Sequence, residues 1–592
     1  MQTHYRQNDI IPIENLQNTY ELTDHDLLND YAPFSISGLQ HYNPIYSRFF
    51  TLDETSVVTT TLKHTYTIHD LNTVTETETG ELINKPVFIK FSPLLDPIKY
   101  MIGKYDVTNN AIRTLPALHY PENTAPHPKL ADSNNASYID CFFSYLSSQL
   151  LHKHGFVNGI DFYGSYLGIQ EKYKMNIADD IEYLCTSRYF NENVGKLFKV
   201  SEDIPSDGNY CNGSRGNKQR LHIQSSPIAH NISVVDLDIE TLDEPITEPV
   251  VIETLDEPNN EVVYEKPHNN SVSNASDASD SSNDSSLNYS TDGSATDDDL
   301  LDSGEEDEEE TSVNDGSDSA SEEVSDEDTS SGFSDAEEEP IFSYMNNFPV
   351  QLICLEKCDG TIDQLFEKGV FSETEGAAAL MQVLMTLIVY QRAFSFTHND
   401  LHTNNIMFVN TDIAFLYYIY NKKTYRVPTY GRIFKLIDFG RSIYRFCGKI
   451  FCSDSFAPGG DAATQYNCEP YMNEKKPRLD PNPSFDLCRL GCSIYDFLID
   501  EEEEDELDPF QKTVYRWCCD DNGKNILYKK DGEERYPNFK LYKMIARTVH
   551  HCVPHEQLSR PFFSQFTLST KDAKKVGKGA VIIDIDSIPS YM

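Results

Sequence analysis

The stretch Phe396-Thr-His-Asn-Asp-Leu-His-Thr-Asn-Asn-Ile-Met-Phe408 decides how this 592-residue chain is read. It places a carboxylate, Asp400, five positions before a carboxamide, Asn405, on a polar loop. Upstream, Glu373 to Phe394 has the apolar pattern of a long helix, with Ala378, Met381, Val383, Leu384, Leu387 and Ile388 as core candidates. Downstream, Ile406 to Val409 reads as a short strand, and a second strand pattern, Ile433-Phe-Lys-Leu-Ile437, runs straight into Asp438-Phe-Gly440. Two acids and an amide set at strand ends offer hard oxygen ligands for Mg²⁺ and can position a hydroxyl for attack on phosphorus. The plain alternative makes Asp400 and Asn405 turn-capping loop residues, which leaves the matching helix and strands unexplained.

His398-Asn-Asp400-Leu with Asn405, followed by Asp438-Phe439-Gly440, resembles the catalytic loop and the magnesium loop of the protein-kinase superfamily. The resemblance implies an α+β, bilobal kinase-like fold with a small β-rich N-lobe and a larger, mainly helical C-lobe. Val87-Phe-Ile-Lys90 is similar to the family strand whose lysine holds the α- and β-phosphates of ATP, a role that would fall to Lys90; a surface lysine on an edge strand is the alternative. A helix predicted over Ala136 to Leu151 puts Ile139, Phe142, Phe143, Leu146 and Leu150 on one stripe. It stands where the family has the helix whose glutamate pairs with that lysine. No glutamate lies on it, so Asp140 is the candidate, beside a reading as a solvated helix acid.

The apolar run leading to Glu356-Lys-Cys358 resembles the hinge, whose backbone binds adenine, with Leu355 flanking the back of the pocket. Thr361-Ile-Asp then opens a short helix to Glu367. Phe485-Asp-Leu-Cys-Arg-Leu-Gly491 is similar to the opening of the large buried lobe helix, where Asp486 would hold the catalytic-loop backbone. Such an acid tolerates burial only if it accepts several backbone hydrogen bonds. Lys540 to Phe566 completes the helical lobe, and Arg560-Pro561 resembles the family's closing arginine.

On the family pattern ATP and Mg²⁺ are the cofactors. Asn405 and Asp438 hold the metal, Lys90 steadies the phosphates, Asp400 aligns the acceptor hydroxyl and receives its proton, and His398 and Phe439 pack between the two loops. The implied activity is a Ser/Thr protein kinase with a protein substrate. The rivals are a small-molecule kinase of the same fold and a scaffold that binds without turnover.

Several features depart from the family. No G-x-G-x-x-G precedes Lys90, the nearest text being the glycine-poor Ser35-Ile-Ser-Gly-Leu39, and no Ala-Pro-Glu closes the segment after Gly440. Asp400 and Asp438 are 38 positions apart, and the excess, Ile413 to Val427, alternates like a hairpin turning at Asn421-Lys422. Asn399 stands where an arginine usually precedes the catalytic aspartate, which argues against switching by an activation-loop phosphate. Asp-Leu-His402 resembles haspin-like kinases and small-molecule kinases of the aminoglycoside and choline type.

The formal charge of -47 is mostly local. Asn231 to Pro340 holds 36 Asp and Glu against one lysine, Lys266, and repeats Glu-Thr-Leu-Asp-Glu-Pro at 240–245 and 253–258. Residues 201–340 read as an insertion with too few apolar side chains to offset ordering costs of ~1–2 kcal/mol per residue, so disorder is expected across it. Such a segment repels nucleic acid. Its serines followed by acids would suit an acidophilic kinase, or the tract is simply solvating. The later acid run, Asp500 to Asp508, reads as a solvated loop.

The 13 cysteines lack zinc-ribbon spacing and read as reduced, buried thiols of an intracellular protein. No signal peptide or run of ~20 apolar residues is expected, so the chain reads as soluble. The organisation expected is an N-terminal extension (1–50), the first part of the N-lobe (51–200), the acidic insertion (201–340), the N-lobe end and hinge (341–358), the C-lobe (359–566) and a tail (567–592). An acidic insertion in the small lobe with divergent loops resembles Ser/Thr kinases of giant DNA viruses of the mimivirus kind, which implies host cytoplasm or virion.

Overall fold

The computed structural model describes residues 5–7, 9–52, 59–121, 124–201, 341–499, 507–530, 532–537, 539–577 and 579–592. The acidic tract, its doubled motif and most of the acid run Asp500 to Asp508 lie outside them. Strands from both sides of that tract meet in one antiparallel sheet. Ile36–Gln40 (β1), Val87–Pro93 (β2), Phe162–Asn176 (β3), Phe198–Val200 (β4) and Phe342–Glu356 (β5) lie in the order β1-β3-β5-β2, and β4 also pairs with β5. Pairing runs from Phe342 opposite Asn176 to Leu355 opposite Phe162, and β2 lies on the other side of β5 with Lys90 opposite Ile353. β1 comes from residues expected to form an extension. It reaches the edge of β3 because Gly168 leaves room for the Ile36 side chain, which a Cβ there would meet at 2.4 Å.

Ala136–His154 (α1) starts on Asn135, whose Oδ1 accepts from Ser137 N at 3.0 Å, and stops at Gly155, where φ is +62°. The expected apolar stripe is buried, but so is every residue from Ser137 to Leu150. The helix has no solvent face because it is packed on more than one side. Phe142 meets Phe446 and Phe451 at 5.7 and 5.1 Å, while Ser137 on the sheet side donates to Pro93 O at 2.8 Å. Ser147 and Ser148 are satisfied too, by Tyr390 and Asp161.

Glu373–Phe394 (α2) opens with a capping box between Ser372 and Glu375. At 22 residues it is long and apolar enough to cross a membrane, contrary to the expectation of no such run, but it lies inside the protein core. Gly376 on α2 faces Phe510: a Cβ would lie 2.6 Å from the ring. Gly376→Ala should therefore destabilise the fold by about 1–3 kcal/mol through overpacking, read as a lower denaturation midpoint; an unchanged midpoint would show that the ring gives way freely.

Ile406–Asn410 (β6) pairs with Arg432–Leu436 (β9), and Phe415–Tyr420 (β7) pairs with Lys423–Pro428 (β8). The hairpin turns at Asn421 and Lys422, with φ of +48° and +61°, as a primed turn requires. Ile443–Phe446 (β10) and Lys449–Cys452 (β11) follow the Asp-Phe-Gly loop as a second hairpin. Phe485–Leu498 (α3), Pro509–Trp517 (α4) and Lys540–Thr548 (α5) supply the remaining long helices. Asp508, from the expected acid loop, is the N-cap of α4.

Residues expected as a tail include Val581–Asp584 (β12), which pairs in parallel with β7. Ile583, Ile585 and Ile588 are buried there, and the Asp586 carboxylate accepts from Asn421 N and Lys422 N at 2.9 Å each. The chain is thus mixed α/β with several sheets. All twelve described cysteines are free thiols, and nine of them are buried.

Candidate active site

Three elements far apart in sequence bring three charges together. β2 supplies Lys90, α1 supplies Asp140, and the loop after β9 supplies Asp438. Lys90 Nζ lies 2.7 Å from Asp140 Oδ2 and 2.8 Å from Asp438 Oδ1. Asp140 is 3% exposed, and its other oxygen accepts from Phe439 N at 2.9 Å. It is therefore no solvated helix acid: one buried carboxylate ties β2 to the Asp-Phe-Gly loop. The short side chain suffices because α1 packs against that loop, with the Phe143 and Phe439 rings 4.7 Å apart.

The electrostatics follow from this crowding. Burial works against a charge on Lys90, but Asp140 and Asp438 outweigh it and raise its pKa. Asp438 is half-exposed, but desolvation by the atoms crowded around it still opposes its ionisation, and the Lys90 ammonium holds it down at about 2. Asp140 goes up, first because it is buried and further because Asp438 is a like charge, with Lys90 opposing both.

The loops around Asp400 and Asp438 each hold a non-glycine residue in the left-handed region, Asn399 at φ +63° and Asp438 at φ +60°. Such backbone costs about 1 kcal/mol or more and persists where surrounding contacts over-determine it. Here they do. Asp486, fully buried on α3, accepts from His398 N and Asn399 N at 2.9 Å each. These are the backbone bonds that its burial demands, although burial still raises its pKa against their pull and that of His398. His398 Nε2 meets Ile437 O at 2.9 Å, and its ring lies 5.7 Å from that of Phe439. Asn399 donates to Thr397 O and Arg441 O and accepts from Tyr466 at 2.8 Å. A neutral amide thus anchors the segment beyond Gly440.

Asn405 donates through Nδ2 to Asp400 O at 2.9 Å, and the same nitrogen faces His402 Nε2 at 3.1 Å. Burial lowers His402 to about 4 despite Asp400, so the ring is neutral at pH 7. Asp400 Oδ1 accepts from Tyr542 at 2.8 Å, and Arg441 Nε stands 3.9 Å from Oδ2. Burial opposes its charge, but Arg441, Arg489, His402 and the Tyr542 hydrogen bond keep it below the ordinary carboxylate value.

At the strand end expected to bind adenine, the Glu356 side chain is already engaged. Its Oε1 accepts from Asp161 N at 2.8 Å and pairs with the buried Lys435. Leu355 is buried; Cys358 is half-buried, and burial pushes its thiol up to about 12. Upstream of Lys90, the strands Tyr66–Ile68 and Thr73–Glu76 form a hairpin whose turn is held by Asp70 Oδ1, accepting from Asn72 N and Thr73 N. Val87 N at the start of β2 donates to Leu71 O in that turn. Arg560 is exposed at the start of a short helix. A separate cleft of about 340 Å³, lined in part by Gln391, Thr397, Arg445 and Arg478, contains none of the charged residues above.

Sequence reasoning did not reach Arg441, Asp454, Arg489 or Tyr542. Arg441 directly follows Gly440 and was open to notice. Asp454 was not: its Oδ1 accepts from Ala136 N at 3.0 Å at the start of α1, and its other oxygen pairs with Lys129. No local pattern announces a contact across more than 300 residues.

No family model matches the chain. Over 176 residues, 29% of its length, it is 30% identical to the uncharacterised protein 098R of Invertebrate iridescent virus 6, covering 26% of that protein. Over 116 residues, 18% of its length, it is 31% identical to the serine/threonine-protein kinase haspin of Mus musculus, covering 15% of it. The chain thus spans about a quarter and less than a sixth of these two curated relatives. Part of it is similar to a protein kinase, and part to a viral protein.

Proposed function

We propose that the chain is a bilobal, kinase-like phosphotransferase that moves the γ-phosphate of ATP to a hydroxyl with Mg²⁺, its acceptor being a Ser or Thr of a protein. The observation that carries this reading is Lys90 held between Asp140 and Asp438, with Asp140 also bound to the backbone of the Asp-Phe-Gly loop. A cation so fixed has charge and direction to offer phosphate oxygens. The partial similarity to haspin supports a protein acceptor, and the viral relative supports the expected viral setting.

By the chemistry of their donor atoms, Asn405 and Asp438 would suit a divalent ion. Asp438 is 46% exposed and ionised, and Asn405 spends its amide nitrogen on Asp400 O and His402, which leaves its carbonyl oxygen as the ligating atom. Both are hard oxygens of the kind Mg²⁺ selects. The metal, when bound, would neutralise charge on the transferring phosphate. The chain's own groups do the rest. Lys90 steadies the α- and β-phosphates, the backbone of Glu356 and Cys358 beside Leu355 receives the adenine, and Asp400 orients the acceptor hydroxyl and takes its proton.

The test is transfer from radiolabelled ATP with Mg²⁺ to casein, histone and the protein itself, beside Asp400→Asn. Loss of the base should lower transfer by roughly 10²–10⁴-fold. Equal labelling by the two proteins would remove Asp400 from the reaction. Label appearing on a metabolite and on no protein would shift the reading to a small-molecule kinase.

A further inference from the structure

We propose that Tyr542 and Arg489 are positioning residues for Asp400, forming a guanidinium-to-phenol-to-carboxylate relay that fixes the orientation of the base. The inference rests on the phosphotransferase reading above. The Asp400 side chain is 26% exposed, and its closest side-chain partner comes from outside its own loop. Tyr542 Oη on α5 lies 2.8 Å from Asp400 Oδ1, and Arg489 Nε on α3 lies 3.0 Å from the same Oη. Chemistry sets the direction of both bonds. A guanidinium only donates, so Tyr542 must accept from Arg489, and its single proton is left for Asp400.

The relay starts from a rigid place. Arg489 is three residues beyond Asp486 on α3, so the helix that holds the loop backbone through Asp486 also holds its carboxylate through Arg489 and Tyr542. The Tyr542 ring lies between neighbours, 5.1 Å from Phe539 and 5.9 Å from Phe485, with the Arg489 guanidinium 5.3 Å from its centre. A group whose support is already packed loses little freedom when it acts.

The other side chains beside Asp400 are engaged with further partners as well. His402 faces Asn405, and Arg441 pairs with Asp461 while staying 3.9 Å from Asp400. With Oδ1 taken by Tyr542, Oδ2, whose ion-pair neighbour Arg441 Nε stays 3.9 Å away and beyond hydrogen-bond distance, is the oxygen left for an acceptor hydroxyl.

Tyr542→Phe keeps the ring and removes only Oη. We expect kcat for transfer from Mg-ATP to casein to fall ten- to a hundred-fold, the scale of a misplaced catalytic group. The KM for ATP should stay within about twofold, because no contact joins Tyr542 to Lys90, Asn405 or Asp438 among the described residues. Arg489→Gln should move kcat in the same direction. In an Asp400→Ala background, Tyr542→Phe should cost nothing further, since the carboxylate it serves is gone.

An unchanged kcat in Tyr542→Phe, or a loss that multiplies with that of Asp400→Ala, overturns the relay. If the wild-type protein transfers phosphate to no acceptor, the phosphotransferase reading fails on its own, and the relay is read from melting temperatures. Shifts for Tyr542→Phe and Asp400→Ala that fall short of additive in the double variant keep the contact as a coupled pair; fully additive shifts remove it.

Discussion

Asp438→Ala should abolish phosphoryl transfer, by more than about 10³-fold, while leaving the fold nearly intact. The kinetic half follows from the proposed role. In that role Asp438 would be a metal-facing carboxylate, and charge stabilisation is most of what a protein contributes to phosphoryl transfer. The structural half follows from the contacts. Asp438 is 46% exposed, and Lys90 retains its 2.7 Å partner Asp140 when Asp438 is removed. Asp140 also loses a neighbouring like charge, which offsets part of any loss. The measurement pairs transfer from labelled ATP with a thermal melt. Turnover at the wild-type rate would take Asp438 out of the mechanism, and a collapsed melting transition would make it structural.

The largest effect on stability is expected at Asp486, not at any residue that would touch nucleotide. Asp486→Ala strands the N–H groups of His398 and Asn399, each 2.9 Å from a carboxylate oxygen in a fully buried setting. Each unpaired buried donor costs about 1–3 kcal/mol. Removing a buried charge gives some of this back, because burial raises the Asp486 pKa. The donors should win. Asn399 sits at φ +63° and is wholly buried, so its N–H cannot turn to water. A net loss of about 3 kcal/mol is expected, seen as a lower melting temperature together with lost transfer. Asp486→Asn, which keeps one acceptor oxygen, should fall between. An Asp486→Ala protein melting with the wild type would show that the loop holds itself.

Local text carried most of the secondary structure. The long helix before His398 and the strands flanking the loop were legible from apolar spacing, and the turn at Asn421-Lys422 from alternation reversing around two polar residues. Two readings were incomplete for the same reason. α1 was expected to show one apolar stripe, but it is buried all round from Ser137 to Leu150, and Ser147 and Ser148 hide in hydrogen bonds to Tyr390 and Asp161. The tail beyond residue 567 holds the alternating Val581-Ile-Ile-Asp, yet its partner β7 lies far back in the chain. Periodicity reports which face is apolar; it is silent on what covers it.

The site divides along the same line. Asp400, Asn405 and Asp438 stood out because their loops lie between recognisable elements. Asp140 could be placed on its helix, but whether it met water or Lys90 was undecided until α1 was packed against the sheet. Nothing local marked the side-chain contacts of Tyr542 and Arg489, since each lies in an ordinary helical pattern and its proposed role depends on a single contact.

By itself the sequence determined the elements, the order of the loops and the kinds of side chain on them, because spacing along a backbone governs which residues share a face and where a turn falls. Only the tertiary structure decided which charges meet. The pairing of Lys90 with Asp140 and Asp438, the hold of Asp486 on the loop and the reach of Tyr542 to Asp400 all depend on the ångström-scale approach of segments tens to hundreds of residues apart. Coulomb and hydrogen-bond energies fall steeply over that distance, so no reading of linear order could assign them.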